Sequence, residues 1–202
     1  MKNNTYAQIF VIYLRYLLGF AFIFASIVKI QGQPFTSMDG VNSPISSAWH
    51  YFETMYQSGI YWRFIGITQF IAGSLLITQR FSKLGTIVYL PIIANIFLVT
   101  ISYEFSGTPI ISGLMLLSTL FLMYWDWNVF KIFVNKKPEI ETKKRLENNK
   151  IWQITGLIFL IFTPIPKFFT TQKVAIIIFS TLFSIGIITL IIGLRKRKLY
   201  WL

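Results

Sequence analysis

The chain has 202 residues, of which 54% are hydrophobic and 13% are charged, about half the charged fraction of an average soluble domain. It contains no cysteine, which excludes disulfides, thiolate catalysis and iron–sulfur clusters, and its single histidine, His50, cannot supply paired haem ligands. The net charge of +12 resides mainly in short segments between apolar runs, so membrane topology accounts for it and nucleic-acid binding is not expected. The composition predicts an all-α polytopic membrane helical bundle in a lipid bilayer.

Six apolar segments predict membrane spans, because a helix needs roughly 20 apolar residues to cross a bilayer core of about 30 Å. The fifth is the shortest, and we expect Pro164 and Pro166 to end it because proline breaks the helical hydrogen-bond ladder. Gly59, Gly66 and Gly73 repeat every seven residues at the second span, a spacing that lets helices approach closely. In chain order the predicted spans are Ile9–Ile30, Ile60–Gln79, Leu84–Tyr103, Ile110–Lys131, Ile151–Pro166 and Val174–Leu194.

The segment between the first two spans predicts a helix of a different kind. Ser43 is suited to cap it, the proline that follows suits its first turn, and Gly59 is suited to end it. Trp49 and Phe52 fall on one face, and polar side chains fall on the other. We therefore predict an amphipathic helix over Pro44–Ser58 that lies in the outer membrane interface.

The chain divides into three predicted parts. Residues 1–134 hold four spans and the interfacial helix, residues 135–150 form a solvated linker with both signs of charge, and residues 151–202 form a two-helix hairpin with a basic tail. Of the 19 Lys and Arg residues, 14 fall on one side of a six-span arrangement and four on the other. The positive-inside rule then places both termini and the linker in the cytoplasm, with the chain in the cell inner membrane.

Four polar residues lie inside the predicted spans, where burial in lipid is costly without a partner. Arg15 and Asp126 lie at nearly the same depth from the same side, which favours a buried ion pair. The alternative is that both side chains extend to the cytoplasmic interface. Gln69 and Asn95 lie near the middles of the second and third spans, and we expect them to hydrogen-bond each other; the alternative is that they contact the head group of a ligand.

The same reasoning yields one hypothesis for a ligand site, between the first two spans and under the interfacial helix. An apolar stripe on the first span ends in a cation, and a second cation begins the second span at the same level. Two positive groups in a medium of low dielectric would bind an acidic or carbonyl-bearing head group. The alternative is that these cations neutralise Glu53 and Glu104. The predicted ligand-binding residues are Phe22, Ser26, Lys29, Trp49, Phe52 and Arg63.

Four segments resemble a known family of membrane proteins. Arg15–Gly19 and Phe24–Ile30 resemble the first helix of the DoxX-like family, and Phe64–Leu76 with Arg80–Gly85 is similar to its second helix and tight cytoplasmic turn. The likeness covers Gln8–Phe130, and it implies a four-helix bundle core to which the C-terminal hairpin is added. The family takes its name from subunits of terminal quinol oxidase and thiosulfate:quinone oxidoreductase.

Three functions are consistent with these features. The resemblance favours an accessory subunit of a redox or respiratory assembly, which contacts quinone or lipid and has a membrane or periplasmic oxidoreductase as partner. The alternative is a non-enzymatic scaffold or export partner, since no reactive group is apparent and the hairpin carries few polar residues. A small-solute transporter is third, because no inverted repeat with broken helices is evident. We predict no catalytic residue and no metal site.

Overall fold

The computed structural model describes residues 4–138, 145–168 and 172–196, which form helices joined by turns and loops, with no strand among them. Short 3₁₀ turns cover Lys131–Val134, Leu146–Asn148 and Ile165–Lys167. Parts of two predicted segments lie outside the described residues: residues 139–144 in the charged linker and residues 197–202 in the basic tail. The helices are α1 (Thr5–Ile30), α2 (Ala48–Gln57), α3 (Ile60–Ile77), α4 (Ser82–Ser102), α5 (Thr108–Trp125), α6 (Trp127–Phe130), α7 (Lys150–Phe162) and α8 (Gln172–Lys196).

Five of these helices are long and apolar enough to cross a membrane, namely α1, α3, α4, α5 and α8. Their outward faces carry large exposed apolar side chains such as Leu17, Leu98 and Leu114. A soluble protein would bury such side chains, whereas lipid tails solvate them. The chain is therefore an all-α membrane protein with several spanning helices.

The predicted fifth span is shorter than expected. It forms α7, a helix of 13 residues, which is about 20 Å long against about 30 Å for the bilayer core. The helix ends at Phe162, two residues before Pro164, and a 3₁₀ turn with Pro166 follows. Thr163 keeps the helical conformation and donates to the Phe159 carbonyl, but Pro164 and Pro166 have no amide hydrogen to continue the hydrogen-bond ladder, so the helix stops before it reaches spanning length. The described residues thus hold five helices of spanning length, and the shorter α7 lies within the predicted fifth span.

The helix between the first two spans begins later than the sequence indicated. It covers Ala48–Gln57, and its N-cap is Ser47, whose hydroxyl accepts a hydrogen bond from the His50 amide at 3.2 Å. The predicted cap Ser43 instead donates its hydroxyl to the Asp39 carbonyl at 2.6 Å. Serine is a favourable N-cap residue at either position, but Ser43 is engaged with Asp39, and Ser47 caps the helix.

α1 is the central helix of the bundle, and its closest neighbour is α3. A Cβ added to Gly73 would lie 2.8 Å from the Gly19 carbonyl oxygen, and one added to Gly66 would lie 2.8 Å from Lys29 Cβ. Two of the three predicted glycines therefore let the helices approach closely. The third, Gly59, has a φ of 59° and begins α3 instead. α3 packs on α4, and α4 on α5, which returns to α1.

The C-terminal hairpin of α7 and α8 packs on α1 and α3. The Tyr13 hydroxyl donates to the Gly186 carbonyl at 2.6 Å, and a Cβ at Gly156 would collide with the Ile77 carbonyl oxygen. Trp152 on α7 contacts both Tyr13 near the start of α1 and Gly193 near the end of α8. The start of α1 and the last turns of α8 therefore lie on the same side of the bundle.

Candidate functional site

Two buried cations lie on α1, Arg15 in its first half and Lys29 in its last turn. Arg15 is 1% exposed and Lys29 is 6% exposed, and 14 residues of helix place their backbones about 21 Å apart. An ionisable residue buried at membrane depth is costly, so its surroundings indicate its role. We call the two regions the Arg15 end and the Lys29 end.

At the Arg15 end, four charged side chains form a closed ring. Arg15 lies 2.8 Å from Asp126 and 2.7 Å from Glu147. Arg145 lies 3.1 Å from the other oxygen of Asp126 and 3.0 Å from the other oxygen of Glu147. Each carboxylate thus bridges two guanidinium groups, and the formal charge of the ring is zero. We call Arg15, Asp126, Arg145 and Glu147 the charge ring.

The charge ring joins parts of the chain that are distant in sequence. The structure brings Arg15 and Asp126 together, as the sequence indicated, and Asp126 also separates α5 from α6, so the predicted span to Lys131 is interrupted. Neutral side chains extend the network: Gln79 accepts from Arg15 at 3.4 Å and donates to the Ile12 carbonyl at 3.0 Å. The network therefore ties α1 to the turn after α3 as well as to the α5–α6 junction.

The second half of the linker is not solvated as predicted. Glu147 is 7% exposed, and the Leu146 amide donates to the Gln8 side chain at 2.7 Å. The composition of residues 135–150 is polar enough for a solvated segment, but the ion pairs with Arg15 and Asp126 hold Arg145 and Glu147 against α1. Sequence reasoning found one carboxylate partner for Arg15 and missed the second, because Glu147 lies in a charged linker rather than in a span.

Electrostatics keep Glu147 ionised in this position. Burial alone would raise the pKa of its carboxyl group, but the charges of Arg15 and Arg145 and their hydrogen bonds lower it overall. Opposite charges at contact distance favour the charged form of a carboxylate. The ring is therefore an ion-paired cluster at neutral pH, in which Arg15 Nε alone has no hydrogen-bond partner among the described residues.

At the Lys29 end, the structure contains a cavity of about 440 Å³ among α1, α3, α4 and α5. Side chains of α2 cover it, as do Phe35 before α2 and Phe105 after α4. Phe52 stacks 5.4 Å from Phe35 and meets Phe105 edge-on at 5.4 Å, both distances being between ring centroids. The deeper wall is mostly aliphatic. It includes Ile65, Ile92, Ile93, Ile96, Val99, Ile111 and Met115.

Lys29 points back into the bundle rather than out towards water. Its ammonium donates to the Ala25 carbonyl at 2.9 Å and lies 4.8 Å and 5.3 Å from the ring centroids of Phe35 and Trp62. Within the described residues it makes no ion pair with Glu53 or Glu104, which was the alternative to a ligand site. An ammonium has three donors, and the Ala25 carbonyl is its one hydrogen-bond acceptor among the described residues, so it is able to bind a further acceptor.

Gln69 and Asn95 both line the cavity, but the expected hydrogen bond between them is not formed. Gln69 is 3% exposed, and its Oε1 has no hydrogen-bond partner among the described residues. Asn95 is exposed on α4. The similar depths of Gln69 and Asn95 in their spans predicted that the two residues lie near each other. Both line the same cavity, but no direct hydrogen bond joins them. A buried acceptor without a donor costs about 1–3 kcal/mol.

Three of the six predicted ligand residues line the cavity, namely Phe22, Lys29 and Phe52. The other three do not. Ser26 is fully buried and donates to the Ile23 carbonyl at 2.6 Å, and Trp49 packs against Phe105 outside the lining.

Arg63 is exposed and borders a separate depression beside Gly32 and Tyr56, so it does not join Lys29. The rotation of α3 about its axis decides this placement, and depth along the helix does not reveal it. Sequence reasoning also missed Trp62 and Phe35, whose rings contact the Lys29 ammonium. Trp62 is adjacent to Arg63, which was the residue predicted for the site, and Phe35 lies in a loop that has no periodic pattern.

The fold and this cavity define the class of the chain, an all-α membrane protein with several spanning helices and a ligand-sized apolar cavity. No family model and no solved structure matches it significantly. The chain is similar to "Uncharacterized protein YwoB" of Bacillus subtilis (strain 168), with 30% identity over 91 residues. The match covers 45% of this chain and 56% of that protein, so it spans about half the length of each.

Proposed function

We propose that the chain is an accessory membrane subunit of a redox or respiratory assembly, and that it holds a lipid-soluble ligand in the cavity at the Lys29 end. Quinone is the leading candidate for that ligand, and the DoxX-like family is the proposed family. The chain itself is not expected to be catalytic, and an oxidoreductase in or beside the membrane is the proposed partner.

A single observation carries this proposal: a buried ammonium lines an apolar cavity and has no carboxylate partner among the described residues. The volume of about 440 Å³ falls in the range of roughly 300–1,000 Å³ that is typical of ligand sites. Apolar walls with few polar groups favour an amphipathic molecule whose polar atoms meet Lys29. A molecule of this kind reaches the site from the bilayer, since the cavity opens among membrane-spanning helices.

Quinone fits the chemistry of the lining. Its flat ring suits the aromatic cover of Phe35, Phe52 and Trp62, and its carbonyl oxygens accept hydrogen bonds from an ammonium group. Its apolar tail suits the aliphatic wall on α4 and α5. The resemblance to subunits named for quinol and quinone enzymes independently favours the same ligand class.

The proposal places the Lys29 end on the outer side of the cell inner membrane and both termini in the cytoplasm. The asymmetry of 14 basic residues against four supports this orientation. The packing of Trp152 against helices from both ends of the chain supports an arrangement that starts and finishes on one side.

A non-enzymatic scaffold or export partner is the second candidate. It is favoured by the outward face of α8, which exposes Ile177, Phe183 and Ile188. In a scaffold, this face would contact a helix of another membrane protein, and the cavity would carry an ordinary structural lipid.

The test is ligand retention after purification in mild detergent, measured by extraction and mass spectrometry of bound quinones and lipids. We expect the wild-type protein and Arg63→Gln to retain quinone, because Arg63 lies outside the cavity. Lys29→Gln should lose it while keeping a normal thermal unfolding midpoint. Equal retention in all three proteins, or the presence of phospholipid alone, would contradict the quinone proposal.

A further inference from the structure

We infer that residues 127–137, which follow the spanning helix α5, lie in the membrane interface and bind anionic phospholipids in preference to zwitterionic ones. We call these residues the basic interface segment. The segment lies at the Arg15 end of the bundle, because Asp126, the residue before it, contacts Arg15. The inference concerns a surface outside the cavity, so it does not depend on the proposed function.

Exposed aromatic side chains place the start of the segment at the level of the lipid head groups. α5 has 18 residues, about 27 Å of helix, which is close to the thickness of the bilayer core. Tyr124 and Trp127, on either side of its end, are 68% and 40% exposed, and exposed Tyr and Trp are typical of the interface. α5 ends at Trp125, so the residues that follow Asp126 begin a new, short helix at this level.

The segment has an apolar part and a basic part. Phe130 is 2% exposed and buried against the bundle, whereas residues 132–134, Ile-Phe-Val, are 56%, 66% and 49% exposed. Lys136 and Lys137 follow directly, and both are exposed. Acyl chains solvate the apolar side chains, and a phosphate group neutralises the ammonium groups beside them. A phospholipid therefore suits both parts of the segment, whereas a soluble acidic partner would suit only the lysines.

The charge ring leaves this end of the protein with no exposed carboxylate among its described residues. Asp126 and Glu147 are buried and paired with Arg15 and Arg145. Residues 127–137 themselves contain no acidic residue. The exposed cations at this end lie on the turn after α3, on the basic interface segment and at the start of α7, and they include Arg80, Lys83, Lys136, Lys137 and Lys150.

The Lys29 end differs because its surface carries both signs of charge. Exposed Asp39 and Glu104 lie there together with exposed Arg63, Lys167 and Lys173. An anionic head group is therefore attracted to the Arg15 end and gains little at the Lys29 end. Each cation near an anionic lipid surface changes binding on the order of fivefold, and salt screens this attraction.

The experiment measures lipid contact at one exposed position at each end of the cysteine-free chain. Val134→Cys in the basic interface segment and Phe168→Cys at the Lys29 end each carry a bimane fluorophore, and each protein is reconstituted in phosphatidylcholine vesicles. Brominated phosphatidylglycerol or brominated phosphatidylcholine then quenches the fluorophore according to its local concentration. At Val134→Cys we expect phosphatidylglycerol to be enriched on the order of tenfold over its bulk share at low salt, and about 0.5 M salt should remove most of this enrichment.

Lys136→Gln combined with Lys137→Gln should abolish the enrichment measured at Val134→Cys. Lys167→Gln combined with Lys173→Gln is the matched control, because it removes the same charge at the other end and should leave the enrichment unchanged. At Phe168→Cys we expect the two brominated lipids to quench in proportion to their bulk shares. Proportional quenching at both positions would overturn the preference for anionic lipid. If neither lipid quenches at Val134→Cys, the segment does not lie in the interface and the inference is wrong.

Discussion

α1 buries a cation at two levels, Arg15 in its first half and Lys29 in its last turn, and the surroundings of the two cations offset the cost of burial in opposite ways. At the Arg15 end, a neutral ring of two guanidinium groups and two carboxylates closes on itself, with every contact between 2.7 and 3.1 Å. At the Lys29 end, the ammonium has a carbonyl and two aromatic faces for partners and borders an open cavity. Burial of a charge therefore does not distinguish a structural cluster from a ligand site.

What distinguishes the two ends is whether the buried cation is paired with carboxylates of the described residues. The ion-paired network at the Arg15 end stabilises one packing of the helices, and it joins α1 to the α5–α6 junction and to the linker, although Arg15 Nε has no hydrogen-bond partner among the described residues. The ammonium of Lys29 has no carboxylate partner among the described residues and lines the cavity, so it retains capacity for a ligand. Changes at the Arg15 end should therefore affect folding, and changes at the Lys29 end should affect binding.

The largest expected effect concerns the side of the membrane that each end faces. Because the chain has no cysteine, single substitutions Ser46→Cys and Asn148→Cys place one exposed thiol at each end without background labelling. We expect an impermeant thiol reagent added to intact cells to label the first variant and not the second. Labelling of Asn148→Cys alone would reverse the proposed orientation, and permeabilised cells provide the control for reactivity.

The next effect concerns the charge ring, which we expect to tolerate the loss of a member poorly. Arg15→Gln and Asp126→Asn should each lower the free energy of unfolding by about 3–5 kcal/mol, because each leaves a buried charge uncompensated. The double variant should be less destabilised than the sum of the two, since both remove the same contact.

Unfolding in detergent, followed by tryptophan fluorescence, measures these differences. Arg80→Gln is the matched control: Arg80 is exposed and contacts only the Phe81 ring among the interactions described, so its change should stay within about 0.5 kcal/mol. Small and fully additive effects of the two ring variants would mean that Arg15 and Asp126 act independently.

The smallest effect is the response of the charge ring to acid. The pKa of Glu147 is lower in the folded protein than its ordinary value, so its ionisation stabilises the fold at neutral pH. This contribution is lost as the pH falls below the ordinary carboxyl range and through the lowered pKa. The thermal midpoint should therefore drop between about pH 5 and about pH 3, and Glu147→Gln should start lower and drop less. An identical acid response in both proteins would exclude Glu147 as its source.

Much of the fold follows from local sequence patterns. Length and apolarity of the spans predict α1, α3, α4, α5 and α8, because a helix in lipid must satisfy its own backbone and expose apolar side chains. Gly66 and Gly73 predict a close helix contact, because only a missing Cβ permits it. The similar depths of Arg15 and Asp126 in their spans predict that the two side chains lie close together, because each residue of a helix advances a fixed distance across the membrane.

Only the tertiary structure decided which polar groups meet. Glu147 forms an ion pair with Arg15 from a linker whose composition predicts exposure to water. Arg63 faces away from Lys29 although both lie at one level. Contacts across the bundle depend on how each helix is rotated about its axis and on where the chain folds back against the bundle. The cavity beside Gln69 likewise depends on how four helices diverge beneath α2. Sequence by itself determined which segments enter the membrane, since that is a property of each segment, and packing determined the site, since that is a property of their arrangement.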